Sequence, residues 1–419
     1  MNITIFGAGS QGDIQPCIRL GKGLQAAGFD ILLAAPQNFA SLVGECGVRF
    51  HPVRGDVQQI MAGESGQQFM EGGGNFFQSI RAMRKMLGPI IFQMTEDVLA
   101  ACQPADALIT LAVFAPFGKT VAEICGIPLL LVEPTPVLPT RDFPAPGWFV
   151  QKDFGGMLNG FSGLAMLRII WEWYRPFVNE FRERFGLKAL NNSAFYRILT
   201  ATPLLGAYSS AVIPRPHDWP ANVHITGYWF DNASAWKPPL ALEKFLSSGE
   251  APVYIGFGSM AGHDPEHLTQ IALAALVNTG KRGVLATGWG GLKLQEMPQN
   301  VFVLDSAPHG WLFPRMAAIV HHGGAGTTAE GLRAGVPTVI VPFTVDQPFW
   351  GRRVEALGVG ARPIQAKGLS VARLTEAIQR VTSDASMQHK AKALGERIRA
   401  EDGTSNAVKV IQSYLGEGK

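Results

Sequence analysis

Short apolar runs alternate with amphipathic stretches from the first residues onward, a pattern that predicts parallel strands covered by helices. In the first half the runs are Asn2 to Phe6, Asp30 to Ala34, Ala107 to Thr110, Leu129 to Val132 and Leu205 to Tyr208. In the second half they are Val253 to Phe257, Gly283 to Thr287, Val301 to Leu304, Ala318 to Val320, Thr338 to Val341 and Gly360 to Pro363. Between the two sets lies Asp231 to Pro239, rich in turn formers and ending in a stiff Pro-Pro. That break predicts an α/β domain over 1–232 and a second over 239–403, each built on a parallel sheet. Ser405 to Leu415 has helical periodicity and predicts a terminal helix within 404–419. From Leu164 onward, Leu167, Trp171, Tyr174, Phe177, Phe181 and Phe185 recur every three or four residues and define an apolar helix face. Such a face serves as core, as the wall of an apolar pocket or as a membrane contact. The glycines of Gly63 to Gly74 and the prolines of Pro134 to Gly147 predict long loops, where an α/β scaffold carries ligand contacts.

Candidate chemistry concentrates between His321 and Gln347. The run Ala317 to Val320 enters Gly323-Gly324-Ala325-Gly326, where small residues let the backbone turn tightly and approach a ligand. A helix follows, with Thr327 and Thr328 in its first turn, and its unpaired N–H groups favour an anion such as a diphosphate. Gly335 and Pro337 end that helix, and Asp346 and Gln347 fall beyond the carboxyl end of the next strand, where ligands of open α/β sheets bind.

This text, HxGGxGTTxExLxxGVPxxxxPxxxDQ, resembles the donor-sugar signature of the family 1 nucleotide-sugar glycosyltransferases, and its variant is similar to that of sterol glucosyltransferases and bacterial antibiotic glycosyltransferases. The resemblance implies the GT-B fold, two Rossmann-like domains facing each other across a cleft, with the terminal helix crossing back onto the first domain. It also implies that His322, Gly324, Gly326 and Thr327 hold a donor diphosphate, Glu330 the ribose, and Asp346 with Gln347 the sugar hydroxyls. His321 competes with its neighbour, because adjacent residues on an extended chain point opposite ways; register against the family text selects His322. Ser259, in Gly256-Phe257-Gly258-Ser259, resembles the family's serine turn beside the phosphates. Plant members stack a tryptophan on the base, whereas this chain has Ser306-Ala307-Pro308-His309 there, so Ala307 and His309 mark the nucleobase region.

At the amino terminus, Gly7-Ala8-Gly9-Ser10-Gln11-Gly12 is a literal GxGxxG between a strand and a helix, which raises an NAD-dependent oxidoreductase as a competing reading. The dinucleotide fingerprint expects an acid at the end of the second strand, and here that strand ends in Ala34-Ala35-Pro36, with Asp30 at its other end. The loop continues as Gly12-Asp13-Ile14-Gln15-Pro16, similar to the GDxxP loop of the sterol and antibiotic enzymes, in which the aspartate is the proposed catalytic base. Asp13 is therefore the expected base, and the alternative is that it caps a helix starting near Ile14.

Composition adds limits. A net charge of +3 over 419 residues, without a dense Lys/Arg run, gives no nucleic-acid footprint. Cys17, Cys46, Cys102 and Cys125 are too scattered for a zinc site or a disulfide framework. No Asp-x-Asp occurs, so no metal or other cofactor is expected and the leaving diphosphate falls to the helix start, hydroxyls and His322. No apolar run is long enough to span a bilayer and no signal peptide is visible, which places the expected protein in the cytoplasm, with peripheral membrane contact left open. The expected activity is inverting, metal-independent transfer of a hexose, most simply glucose from UDP-glucose, to a hydroxyl of a hydrophobic small molecule. Three alternatives compete with it: a dTDP-deoxysugar transferase for an antibiotic aglycone, the oxidoreductase, and a silent sugar-nucleotide-binding protein.

Overall fold

The computed structural model describes residues 1–55, 76–148, 152–230, 236–258, 265–286 and 298–416, with backbone only over 76–87 and at 89. Two sheets organise these residues. The first contains β1 (Asn2–Phe6), β2 (Asp30–Pro36), β3 (Arg49–Val53), β4 (Ala107–Leu111), β5 (Leu129–Glu133), β6 (Leu204–Gly206) and β7 (Val223–Ile225) in the order β3-β2-β1-β4-β5-β6-β7. The second contains β8 (Val253–Gly256), β9 (Gly283–Ala286), β10 (Val301–Leu304), β11 (Ala318–His321) and β12 (Thr338–Ile340) in the order β10-β9-β8-β11-β12. Every pairing in both sheets is parallel. Central strands such as β4 and β5 are buried along their whole length, as continuous apolar runs covered by helices on both faces require.

Strand order reverses between β1 and β4 and again between β8 and β11, and such switch points open a crevice at the carboxyl ends. At the first crevice β1 runs through a glycine turn into the helix whose first turn carries Asp13; at the second, His321 pairs with Gly256. Two strands escaped the hydrophobic pattern. β3 is an edge strand with a Pro and an exposed face, and β7 is a three-residue edge, so neither needs an apolar run. Conversely, Gly360 to Pro363 forms no strand: Gly360 makes a single bridge to Thr338.

The long helix Gly156–Arg184 starts before the predicted apolar face. Leu167 and Trp171 are buried in the first core and Phe181 is buried beside Phe92, so this part of the face is core, while Met157, Leu158, Phe161 and Leu164 in the preceding turns are exposed. The terminal helix Gly403–Gly416 packs on the first helix, Gln11–Ala26: Ala407, Val408 and Ile411 share a buried cluster with Ile14, Cys17 and Leu20. Asn406 also donates 3.1 Å to the Thr226 carbonyl. The Asp231 to Pro239 break lies partly, and Gly63 to Gly74 wholly, outside the described residues. Among the described residues no helix is long and apolar enough to cross a membrane.

Candidate functional site

The helix after β1 begins at Gln11, with Ser10 as its N-cap residue and Asp13 in its first turn. The alternative of Asp13 as the cap of a helix starting near Ile14 is therefore corrected: Ser10 holds that place, and Asp13 reaches back from the third helical position. Its Oδ2 accepts from the Ser10 backbone N–H at 2.8 Å and from Ser10 Oγ at 2.9 Å. Gly9, at φ +129°, makes this possible, because a Cβ there would run into the Asp13 carboxylate. Desolvation pushes Asp13 up to about 6; the two Ser10 bonds oppose the rise and the Asp346 carboxylate adds to it. A base of that strength is ionised at neutral pH and still basic enough to assist deprotonation of an alcohol.

On the other sheet, β11 delivers two histidines with different tasks. His321 is fully buried and its Nδ1 accepts 3.0 Å from the Gly323 N–H, so it shapes the turn from inside. His322 is half-buried between Gly258 and Gly324, and a Cβ on Gly324 would stand 2.6 Å from its Nε2. Burial pushes His322 down to about 4, so the ring is neutral at pH 7, and its buried Nδ1 has no hydrogen-bond partner among the described residues. The helix Ala325–Ala334 starts from Gly324 with no side-chain cap, which leaves first-turn N–H groups to meet an anion. Space is open above Gly326. Thr328 turns its hydroxyl back to the Gly324 carbonyl at 2.9 Å, whereas Thr327 makes no such bond among the described residues. Ser259 lies outside the described residues; Gly258 before it has φ +59°.

Further along that helix Glu330 is buried between two guanidiniums, with Arg19 at 3.7 Å and Arg333 at 3.8 Å. A Cβ on Gly310 would stand 3.5 Å from Glu330 Oε2, which puts the His309 segment beside it. His309 stacks on Phe313 at 4.2 Å, and desolvation followed by the nearby His322 and Arg19 pushes it down to about 4. Ala307 packs against the same buried cluster that contains Phe313.

Asp346 precedes the helix Gln347–Ala356, and its Oδ2 accepts from Thr135 Oγ1 at 2.9 Å and Trp350 Nε1 at 3.0 Å. Desolvation raises its pKa against the pull of both bonds. Gln347 spends its side-chain oxygen on the N–H groups of Phe343 (2.8 Å) and Thr344 (3.2 Å), so it braces the loop. Val345 sits at φ +52°, a strained conformation for a β-branched residue, immediately before Asp346. The structure thus brings Asp13, His322, Glu330, Asp346 and Gln347 to the region where the two halves meet. Sequence reasoning missed Thr135, Trp350, Arg19 and Arg333. Trp350 was accessible as the residue four after Asp346 on a helix, and Arg333 as the residue three after Glu330. Nothing in the sequence paired Thr135 or Arg19 with partners about 200 or more residues away. The oxidoreductase reading loses further ground, since Asp30 opens β2 and pairs with Arg49 at the end opposite the glycine loop.

Residues 3–144 match the N-terminal domain of glycosyltransferase family 28, and residues 274–412 match the erythromycin biosynthesis protein CIII-like C-terminal domain. A sterol 3-beta-glucosyltransferase of Arabidopsis thaliana is 36% identical over 100% of this chain and 66% of its own length, and a second one from that plant is 36% identical over 99% and 68%. The O-mycaminosyltylonolide 6-deoxyallosyltransferase of Streptomyces fradiae is 35% identical over 99% of this chain and 97% of its own. This chain therefore spans about two thirds of the length of the plant relatives, and it spans 30% of a sterol 3-beta-glucosyltransferase from Emericella nidulans. Among solved structures, a calicheamicin glycosyltransferase superposes with a TM-score of 0.74 at 17% identity, covering 99% of this chain and 98% of that one. The glycotransferase of kitacinnamycin gives 0.73 at 21%, covering 98% of each. The fold is GT-B.

Proposed function

The chain belongs to the glycosyltransferase family that contains the sterol 3-beta-glucosyltransferases and the antibiotic glycosyltransferases, and from that premise we propose that it moves a hexose from a nucleotide diphosphate sugar, most simply glucose from UDP-glucose, to a hydroxyl of an apolar small molecule. In this reading residues 1–232 hold the acceptor, 239–403 the donor, and 404–419 return to the first half. The reading is supported above all by one observation: the helix Gln11–Ala26, which bears Asp13 in the first half, lies against the helix Ala325–Ala334 of the second, with Arg19 of the one 3.7 Å from Glu330 of the other.

The chemistry follows from those placements. Asp13 takes the proton of the acceptor hydroxyl, whose oxygen forms a bond to the anomeric carbon as the bond to the diphosphate oxygen breaks. Attack opposite the leaving group inverts that carbon. The departing diphosphate meets the uncapped start of Ala325–Ala334, the Thr327 hydroxyl and neutral His322, with no metal required. Glu330 accepts from ribose hydroxyls, and Asp346 with Gln347 holds those of the sugar.

The dTDP-deoxysugar alternative is kept alive by the Streptomyces fradiae relative, a deoxyallosyltransferase. A mass-spectrometric screen of sterols, flavonoids, macrolides and lipid alcohols, run with UDP-glucose and in parallel with dTDP-sugars, separates the two. Product with UDP-glucose supports the reading; product with dTDP-sugars alone replaces it. If the melting temperature responded to NAD and not to UDP, the transferase reading would fail.

A further inference from the structure

The helix Gln11–Ala26 meets the second half at two points of opposite sign. At its first turn the Asp13 carboxylate is repelled by that of Asp346. About 9 Å further along the axis, at 1.5 Å per residue, Arg19 reaches Glu330. Arg19 is only 17% exposed and Glu330 10%, so little solvent screens the attraction. The guanidinium is also anchored in its own half: Nη1 donates to the Trp229 carbonyl at 3.0 Å and Nη2 to Gln15 Oε1 at 3.2 Å. Arg333 contacts the other Glu330 oxygen and lies 4.3 Å over the ring of Phe230, near the end of the first half.

We propose that Arg19 is a positioning residue: its ion pair with Glu330 sets the register of Gln11–Ala26 against Ala325–Ala334, and so couples ribose occupancy at Glu330 to the placement of Asp13. A buried ion pair adds little net stability, because desolvation of both charges offsets their attraction, so stability alone gives a weak reason for one at this junction. Register gives a stronger one. Two carboxylates that repel each other must be brought together, and on the Asp13 helix Arg19 supplies the opposing attraction. A nucleotide whose ribose hydroxyls engage Glu330 then acts on the same carboxylate that holds the base-bearing helix. This inference rests on the roles given above to Asp13 and Glu330.

The test uses the full chain as wild type, Arg19→Met, Arg19→Lys, Glu330→Gln and the Met/Gln double variant. UDP affinity is measured by calorimetry and amide hydrogen exchange with and without UDP. In the wild type, UDP should slow exchange in the first turns of Gln11–Ala26. Arg19→Met should bind UDP within threefold of wild type yet lose that protection, and its kcat for transfer should fall at least tenfold with little change in donor KM. Lysine should restore most of both effects, and Arg19→Met should cost less than twofold once Glu330 is already Gln. The proposal is overturned if Arg19→Met lowers only the melting temperature, or if the two substitutions act independently in the double variant. Full transfer by Asp13→Asn would reject the base assignment instead, and the exchange result would still decide the role of Arg19.

Discussion

Thr135 Oγ1 donates a 2.9 Å hydrogen bond to Asp346 Oδ2, joining the loop after β5 to the carboxylate at the head of the Gln347–Ala356 helix. Trp350 Nε1 reinforces the junction, 3.0 Å from the same oxygen and 3.2 Å from Thr135 Oγ1. Both donors take Oδ2, so a sugar hydroxyl arriving at Asp346 meets a carboxylate whose orientation is already set. Thr135→Val keeps the side-chain shape and removes one donor. It should cost about 1 kcal/mol of stability in urea unfolding and raise the donor KM severalfold. An unchanged KM would mean that Asp346 needs no support from the first half.

The acid limb of activity should report Asp13. Since the base works ionised, kcat/KM should rise about tenfold per pH unit up to about 6 and then level off. Ser10→Ala removes a bond that lowers this pKa, so the limb should move to higher pH. A rate that is flat from pH 5 to 7 would assign the proton to another group.

Stability should carry a separate pH signature from Glu133. This carboxyl is fully buried at the end of β5, where Oε1 accepts from Tyr208 at 2.6 Å and Oε2 from the Val137 N–H at 2.9 Å. Desolvation outweighs both bonds and pushes it up to about 7. An acid raised on folding contributes stability that is complete below its unfolded value, near 4.5, and is lost as pH rises through 7. The loss is about 3 kcal/mol at most, and Glu133→Gln should remove it, flattening the difference between urea midpoints at pH 5 and 8. Equal pH dependence in both proteins would mean that the buried carboxyl does not titrate in that window.

Transfer should be unaffected by EDTA, because the uncapped helix start and neutral His322 are assigned the charge of the leaving group. Strict dependence on Mg²⁺ or Mn²⁺ would contradict that assignment.

Central strands and the glycine turn were legible because each is local, an apolar run or a small-residue turn, whereas His322, Glu330 and Asp346 were singled out by resemblance to a contiguous family text that spans a turn, a helix, a strand and a loop. Edge strands β3 and β7 were hidden by their polar or very short sequences. The alternative in which Asp13 caps a helix starting near Ile14 overlooked Ser10, three residues before Asp13, which is the N-cap of a helix that starts at Gln11. The bonds that unite the halves, Thr135 with Asp346 and Arg19 with Glu330, depend on how two sheets far apart in sequence pack, and no periodicity encodes that.

The central claim is that a nucleotide-bound sugar is transferred with Asp13 as base, and the most direct measurement is labelled-hexose transfer from UDP-glucose to an acceptor identified in the screen, by wild type and Asp13→Asn at matched UDP occupancy. Loss of a positioned base should lower turnover by about a hundredfold or more while UDP binding persists. Equal turnover by the two proteins would contradict the account.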